Sequence, residues 1–158
     1  MELSSLLNRF SESETLTMAR LGRELRSKGI DVVDLSLGEP DFDTPDHIKD
    51  AAKKAIDDNY SHYTPVSGFM DLREAVCHKL KRDNNLAFAP INIVVSTGAK
   101  QSLANAVLSI VDEGDEVIIP TPYWVTYAAL VQLSKGIVKE IKTSLDTGYK
   151  ITPEQLEA

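Results

Sequence analysis

The stretch EVIIPTPYWVTYAALVQLSKGIVKEI, residues 116–141, decides the fold class. EVIIP is a short β-branched run that reads as a buried strand. TPYW supplies a turn, residues 125–134 read as a helix closed by Gly136, and IVKEI reads as a second strand. Strand, helix and strand within so few residues imply parallel strands joined by a helical crossover.

The same alternation extends in both directions. Upstream, INIVVS (91–96) reads as a buried strand broken by Gly98. The stripe Ala99, Leu103, Ala106, Val107, Ile110 and Val111 predicts an amphipathic helix that stops at Gly114. Before it lies a helix with Leu72, Ala75, Val76 and Leu80 on one side, ending near RDNN (82–85). NYSHYTPVSG (59–68) is irregular and unusually aromatic for a loop. Ile48, Ala51, Ala52, Ala55 and Ile56 mark a helix with Thr44 expected as N-cap and Pro45 in the first turn. VVDLSL (32–37) is expected to be a strand, and residues 15–28 a helix stopped by Gly29. Downstream, TPEQLEA (152–158) places Gln155 three residues after Thr152, as a capping box requires. A helix starting there has about two turns before Ala158, so the chain is expected to be a truncated part of a longer protein. The fold class is therefore α/β, with no internal repeat and no low-complexity linker.

Composition narrows the function. The net charge of −7 opposes nucleic acid as a partner, because phosphate backbones are bound by clustered Lys and Arg. One cysteine excludes an internal disulfide and fits a reducing compartment. The N-terminus lacks a cationic start followed by an apolar run, and no apolar run nears the roughly 20 residues that span a bilayer. The expectation is a cytoplasmic protein, with neither membrane nor nucleic acid as partner.

VVSTGAKQSL (94–103) carries the strongest chemical hint. A strand, a glycine and a helix start leave backbone N–H groups at a positive dipole end, where anions bind. By itself this is weak evidence, because a single glycine at such a joint more often serves backbone geometry alone. The nucleoside-triphosphate loop is excluded, because Ala99 precedes Lys100 and Gln101 follows it; the dinucleotide fingerprint fails for want of further glycines. His47, His62 and His78 have no partner at metal-ligand spacing, so no metal is expected. Cys77 reads as a packed thiol. Asp41 and Asp43 read as turn residues rather than paired acids.

Four segments taken in order, DLSLGEPDFDTPDHIKDAAKKAI, YTPVSGFMDLREAV, VVSTGAKQSL and GDEVIIPTPYWVTY, resemble the N-terminal portion of the fold type I pyridoxal-phosphate aminotransferases. Within that family they are most similar to the bacterial aspartate aminotransferases, from about Ser13 to Glu157. The resemblance implies part of the mixed, mostly parallel sheet of the large domain, preceded by an N-terminal helical arm. Residues 1–43 would be the arm and a small-domain segment, and 44–158 the start of the large domain. It implies pyridoxal 5′-phosphate as cofactor, held by the main chain of Gly98, Ala99 and Lys100, with Trp124 flat against its ring. Relatives often carry a second glycine where this chain has Ala99. Gly38 would face the substrate carboxylate, together with Trp124. Tyr63 would reach the cofactor phosphate of the neighbouring subunit in a homodimer. The Schiff-base lysine of the family falls beyond Ala158, so no catalytic residue is assigned here, and the chain alone is expected to be inactive. The alternatives are another enzyme of the fold (an aromatic, alanine or prephenate aminotransferase, or a lyase) and a non-catalytic interaction module.

Overall fold

The computed structural model of the chain describes residues 13–157 together with Ser4, Ser5 and Leu7. Most of the expected N-terminal arm before Ser13, and Ala158, lie outside the described residues. Two compact units are present: Met1–Gly38 with Thr97–Ala158, and Glu39–Ser96.

The first unit is built on the crossover that the sequence suggested. Strand β1 (Glu116–Thr121) pairs in parallel with β2 (Ile137–Lys142), in a register running from Glu116 opposite Ile137 to Thr121 opposite Lys142. Helix α5 (Thr126–Leu133) connects them and buries Leu130 and Val131, while β1 contributes the buried Ile119. Val131 is 2 % exposed and is the most completely enclosed large side chain among the described residues. Packing of α5 on β1, β2 and helix α4 (Ala99–Ile110) forms this core. Helix α1 (Glu14–Ser27) belongs to the same unit and buries Ala19 and Gly22. At the C-terminal end, α6 (Pro153–Glu157) begins on the expected capping box. The Thr152 amide donates to Gln155 Oε1 at 3.0 Å, and the Gln155 amide donates to Thr152 Oγ1 at 3.3 Å.

The second unit holds α2 (Asp46–Asp57), α3 (Met70–Asn84) and a 3₁₀ turn at Pro90–Asn92 packed on α3. Arg73 and Cys77 are its buried side chains, so the thiol is packed as the sequence implied.

Helix ends follow local chemistry. In α1, α2 and α5 the two residues after the C-cap return their amides to the last turn, the double closure that needs one left-handed residue. Gly29, Asn59 and Lys135 take that place, with φ of 77°, 61° and 62°. Gly136 is thus not what closes α5. It is small because a Cβ there would lie 2.8 Å from Val111 Cγ1 and 3.0 Å from Val131 Cγ1.

Four further expectations are corrected. Residues 32–37 and 91–96 are not strands: the first is irregular, with a bend at Ser36 and Leu37, and the second is a 3₁₀ turn followed by chain that joins no ladder. Neither has a neighbouring strand among the described residues, and Val95 donates one isolated bond, to the Ser67 carbonyl at 3.1 Å. Pro45, not Thr44, occupies the N-cap of α2 and brings no side-chain bond. The apolar stripe of α2 is real but uncovered, since no residue of that helix is buried. Helix α4 ends at Ile110 with Val111 as C-cap, before Gly114 is reached.

Candidate functional site

Four segments of the first unit converge on one cleft of about 620 Å³. The first turn of α1, from Ser13 to Leu16, forms one side. Leu37 and Gly38 form another. Lys100 at the start of α4, residues 123–126, and Ala128 and Ala129 of α5 complete it, with Glu14 and Lys100 the charged residues lining it.

The joint before α4 has the properties of an anion cradle. Gly98 adopts φ 81° and ψ 168°, a conformation nearly confined to glycine. The Thr97 amide is taken by Gln101 Oε1. Among the described residues no acceptor meets the amides of Gly98, Ala99 and Lys100, which leaves them directed outward at the positive end of a twelve-residue helix. A Cβ built at Gly98 meets nothing within 4 Å, so approach to the joint is open. Ala99 costs the cradle nothing, because the donors are main-chain groups.

Trp124 stands beside this joint. The Lys100 ammonium lies 5.1 Å from the indole centroid, a cation–π contact. Tyr127, the second residue of α5, meets Trp124 edge-on at 5.7 Å and 86°. The indole is 44 % exposed, so a wide apolar face remains accessible. The loop that carries it is tied to β2: Tyr123 donates to Glu140 Oε1 at 2.5 Å, and Thr143 Oγ1 donates to the Thr121 carbonyl. The hydrogen bond to Glu140 holds the Tyr123 phenol above its ordinary pKa, with burial and the Glu140 charge acting in the same direction. The Thr121–Pro122 peptide is cis.

Of the residues singled out from sequence, Gly38, Lys100 and Trp124 line one cleft, and Gly98 and Ala99 adjoin it through Lys100. Gly38 has open space where a Cβ would point. Tyr63 belongs to the other unit, where it is fully exposed and its hydroxyl makes no hydrogen bond among the described residues. Sequence reasoning missed the contribution of α1, the Lys100–Trp124 contact and the Tyr123–Glu140 bond. No spacing rule links residues so far apart, so only the fold could reveal them.

The first unit thus sets free helix-start amides and an accessible indole side by side, a combination whose chemistry suits a flat, anionic group. A family model described as aminotransferase class I and II matches residues 30–158, and the chain belongs to that family. An aspartate/prephenate aminotransferase of Cereibacter sphaeroides is 48 % identical over 156 residues, covering 99 % of this chain and 39 % of that protein. The structure of the Thermus thermophilus aspartate aminotransferase with maleate superposes with a TM-score of 0.94 at 40 % identity, over 99 % of this chain and 41 % of that one. An alanine aminotransferase from Pyrococcus furiosus superposes at 0.91 and 28 % identity, over 99 % and 40 %. The chain therefore spans about 40 % of the length of the relatives it matches. Among the described residues no helix is long and apolar enough to cross a membrane.

Proposed function

We propose that the protein carrying this chain is a pyridoxal-phosphate-dependent aminotransferase that exchanges the amino group of aspartate with a 2-oxo acid. The observation that carries this reading is the apposition, within one unit, of unpaired helix-start amides at Gly98–Lys100 and the exposed indole of Trp124. The residues fit the cofactor: the amides suit a phosphate, the indole suits a pyridine ring, and the cleft is roomy enough to admit both. Bound there, pyridoxal phosphate supplies the electron sink that lets a proton leave the α-carbon of an amino acid.

The chain's own residues bind and orient. The amides of Gly98, Ala99 and Lys100 donate to the phosphate without any side-chain reorganisation, and Trp124 covers the ring and keeps water from it. Gly38 leaves room for a substrate carboxylate. Tyr63 reaches the cofactor phosphate of a second subunit, which makes the active site a property of a homodimer. The proton-shuttling lysine lies in the part of the protein outside this chain. In that protein, residues 1–43 form the arm and a small-domain segment, 44–158 open the large domain, and the compartment is the cytoplasm.

The test is turnover. The full-length protein is expected to transaminate aspartate with 2-oxoglutarate in a pyridoxal-phosphate-dependent manner, and the 158-residue chain to show none. Full-length protein that bound the cofactor but transaminated neither aspartate nor prephenate would overturn the substrate assignment. A protein with no affinity for the cofactor would overturn the whole reading. The similarity to an alanine aminotransferase keeps alanine as the second substrate to assay.

A further inference from the structure

Arg73 is the one charged side chain buried among the described residues, at 8 % exposure, and it pairs with no carboxylate. Its Nε donates to the Gly68 carbonyl and its Nη1 to the Pro90 carbonyl, each at 3.1 Å. Burying a guanidinium against neutral carbonyls is costly, so the position calls for a purpose. The fork geometry supplies one: a planar group with donors fixed in direction joins the Gly68 and Pro90 loops in one orientation, which the freely rotating ammonium of a lysine would hold less rigidly.

Every other contact around Gly68 has the same effect. Gly68 has φ +93°, and a Cβ there would lie 2.6 Å from Val95 Cγ2, so the chain is pressed against Val95. The Val95 amide donates to the Ser67 carbonyl at 3.1 Å, and the Gly68 amide to the Pro65 carbonyl at 2.8 Å. At the opposite end of the loop, the Tyr60 amide closes α2 on the Ala55 carbonyl, and the Tyr60 ring meets Phe69 edge-on at 5.8 Å. The loop from Tyr60 to Gly68 is thus tied at both ends. Its middle holds Tyr63 and Val66 fully in solvent, at 107 % and 102 % exposure. A loop anchored this firmly around side chains that contact nothing is arranged to present them.

We infer that Arg73 is a positioning residue: its buried guanidinium fixes the Tyr60–Gly68 loop and thereby sets where Tyr63 is offered to the neighbouring subunit. The statement about the loop stands by itself. The statement about Tyr63 rests on the aminotransferase reading above.

Hydrogen exchange on the full-length protein separates the two. In Arg73→Met, the amides of Gly68 and Val95 are expected to exchange at least tenfold faster than in the wild type, while amides of α4 and β2 keep their rates. Arg73→Lys keeps the charge and the aliphatic stem and is expected to give a smaller acceleration of the same two amides, which covers the case in which the methionine variant does not fold. Wild-type exchange at Gly68 and Val95 in Arg73→Lys and in any folded Arg73→Met would overturn the inference. The second measurement is pyridoxal-phosphate affinity in a cycle of Arg73→Lys, Tyr63→Phe and the double variant. Single variants are expected to weaken binding several-fold, and the double variant by less than the product of the two, because one residue acts through the other. Effects that simply multiply would make Arg73 structural only and overturn the positioning role. If Tyr63→Phe leaves affinity unchanged while the loop amides still respond to Arg73, the loop inference holds and the cofactor role of Tyr63 falls.

Discussion

Residues 116–121 and residues 32–37 are written in nearly the same language, and the protein treats them differently. EVIIPT becomes β1, with a full parallel ladder to β2 and Ile119 buried beneath α5. VVDLSL joins no ladder and bends at Ser36 and Leu37, with Leu35 91 % exposed. Its inner side is attached by polar contacts instead. Asp34 accepts from the Ser36 amide at 3.0 Å and from its hydroxyl at 2.5 Å, and pairs with Arg26 of α1 at 3.2 Å. Gly22 lets α1 approach, since a Cβ there would lie 3.0 Å from Asp34 Oδ2. Apolar character makes a segment able to be a strand; a neighbour at the right distance makes it one.

Substitutions that separate packing from pairing sharpen this contrast. The largest effect is expected at Gly136, where the crossover is tightest. Gly136→Val would press on Val111, Val131 and the Asp115 carbonyl, and a loss of about 3 kcal/mol in urea unfolding is expected. A near-neutral result would mean that the β1–α5–β2 core is looser than its contacts imply.

Gly98→Ala comes next. Space is free there, so the cost is backbone strain alone, about 1.5 kcal/mol. Circular dichroism through a thermal ramp would measure it, and the full-length protein should also bind pyridoxal phosphate less tightly as the amides turn.

A smaller effect is expected at Asp34. The Ser36 hydroxyl and amide, then Arg26, hold its carboxyl below the usual carboxylate range. A depressed folded pKa contributes stability that is present above the unfolded value, near 4, and is lost as pH falls through the lower folded value. Asp34→Asn should therefore lower the melting temperature at pH 7 and make little difference near pH 2. An equal deficit at both values would show that the ion pair and hydrogen bonds are not its source.

The smallest effect belongs to Leu35→Ser, expected to change the stability of the chain by less than about 0.5 kcal/mol because the side chain touches little. A large destabilisation would break the comparison, for it would mean that the segment is covered in solution.

The crossover, the close of α1 at Gly29 and the capping box at Thr152 were legible in the sequence, as were Gly98 and Trp124 as residues of interest. The two strand errors have one origin. INIVVS and VVDLSL satisfy every strand rule that a single segment can satisfy, and both lack the ladder that only another segment supplies. Gly136 misled for a related reason: its helix-closing position is filled by Lys135, and its smallness answers to Val111, which lies 25 residues earlier.

What this amino-acid sequence determined alone is whatever closes within about five residues. Helical hydrogen bonds, left-handed helix ends at Gly29 and Asn59, the reciprocal bonds of Thr152 and Gln155, and the glycine conformation before α4 belong to that class. Only the tertiary structure decided which apolar runs paired, which stripe stayed uncovered, and that Lys100 would rest on Trp124 beside the first turn of α1. Those outcomes depend on bringing distant segments together, and the groups that stabilise such a contact are encoded at both of its ends.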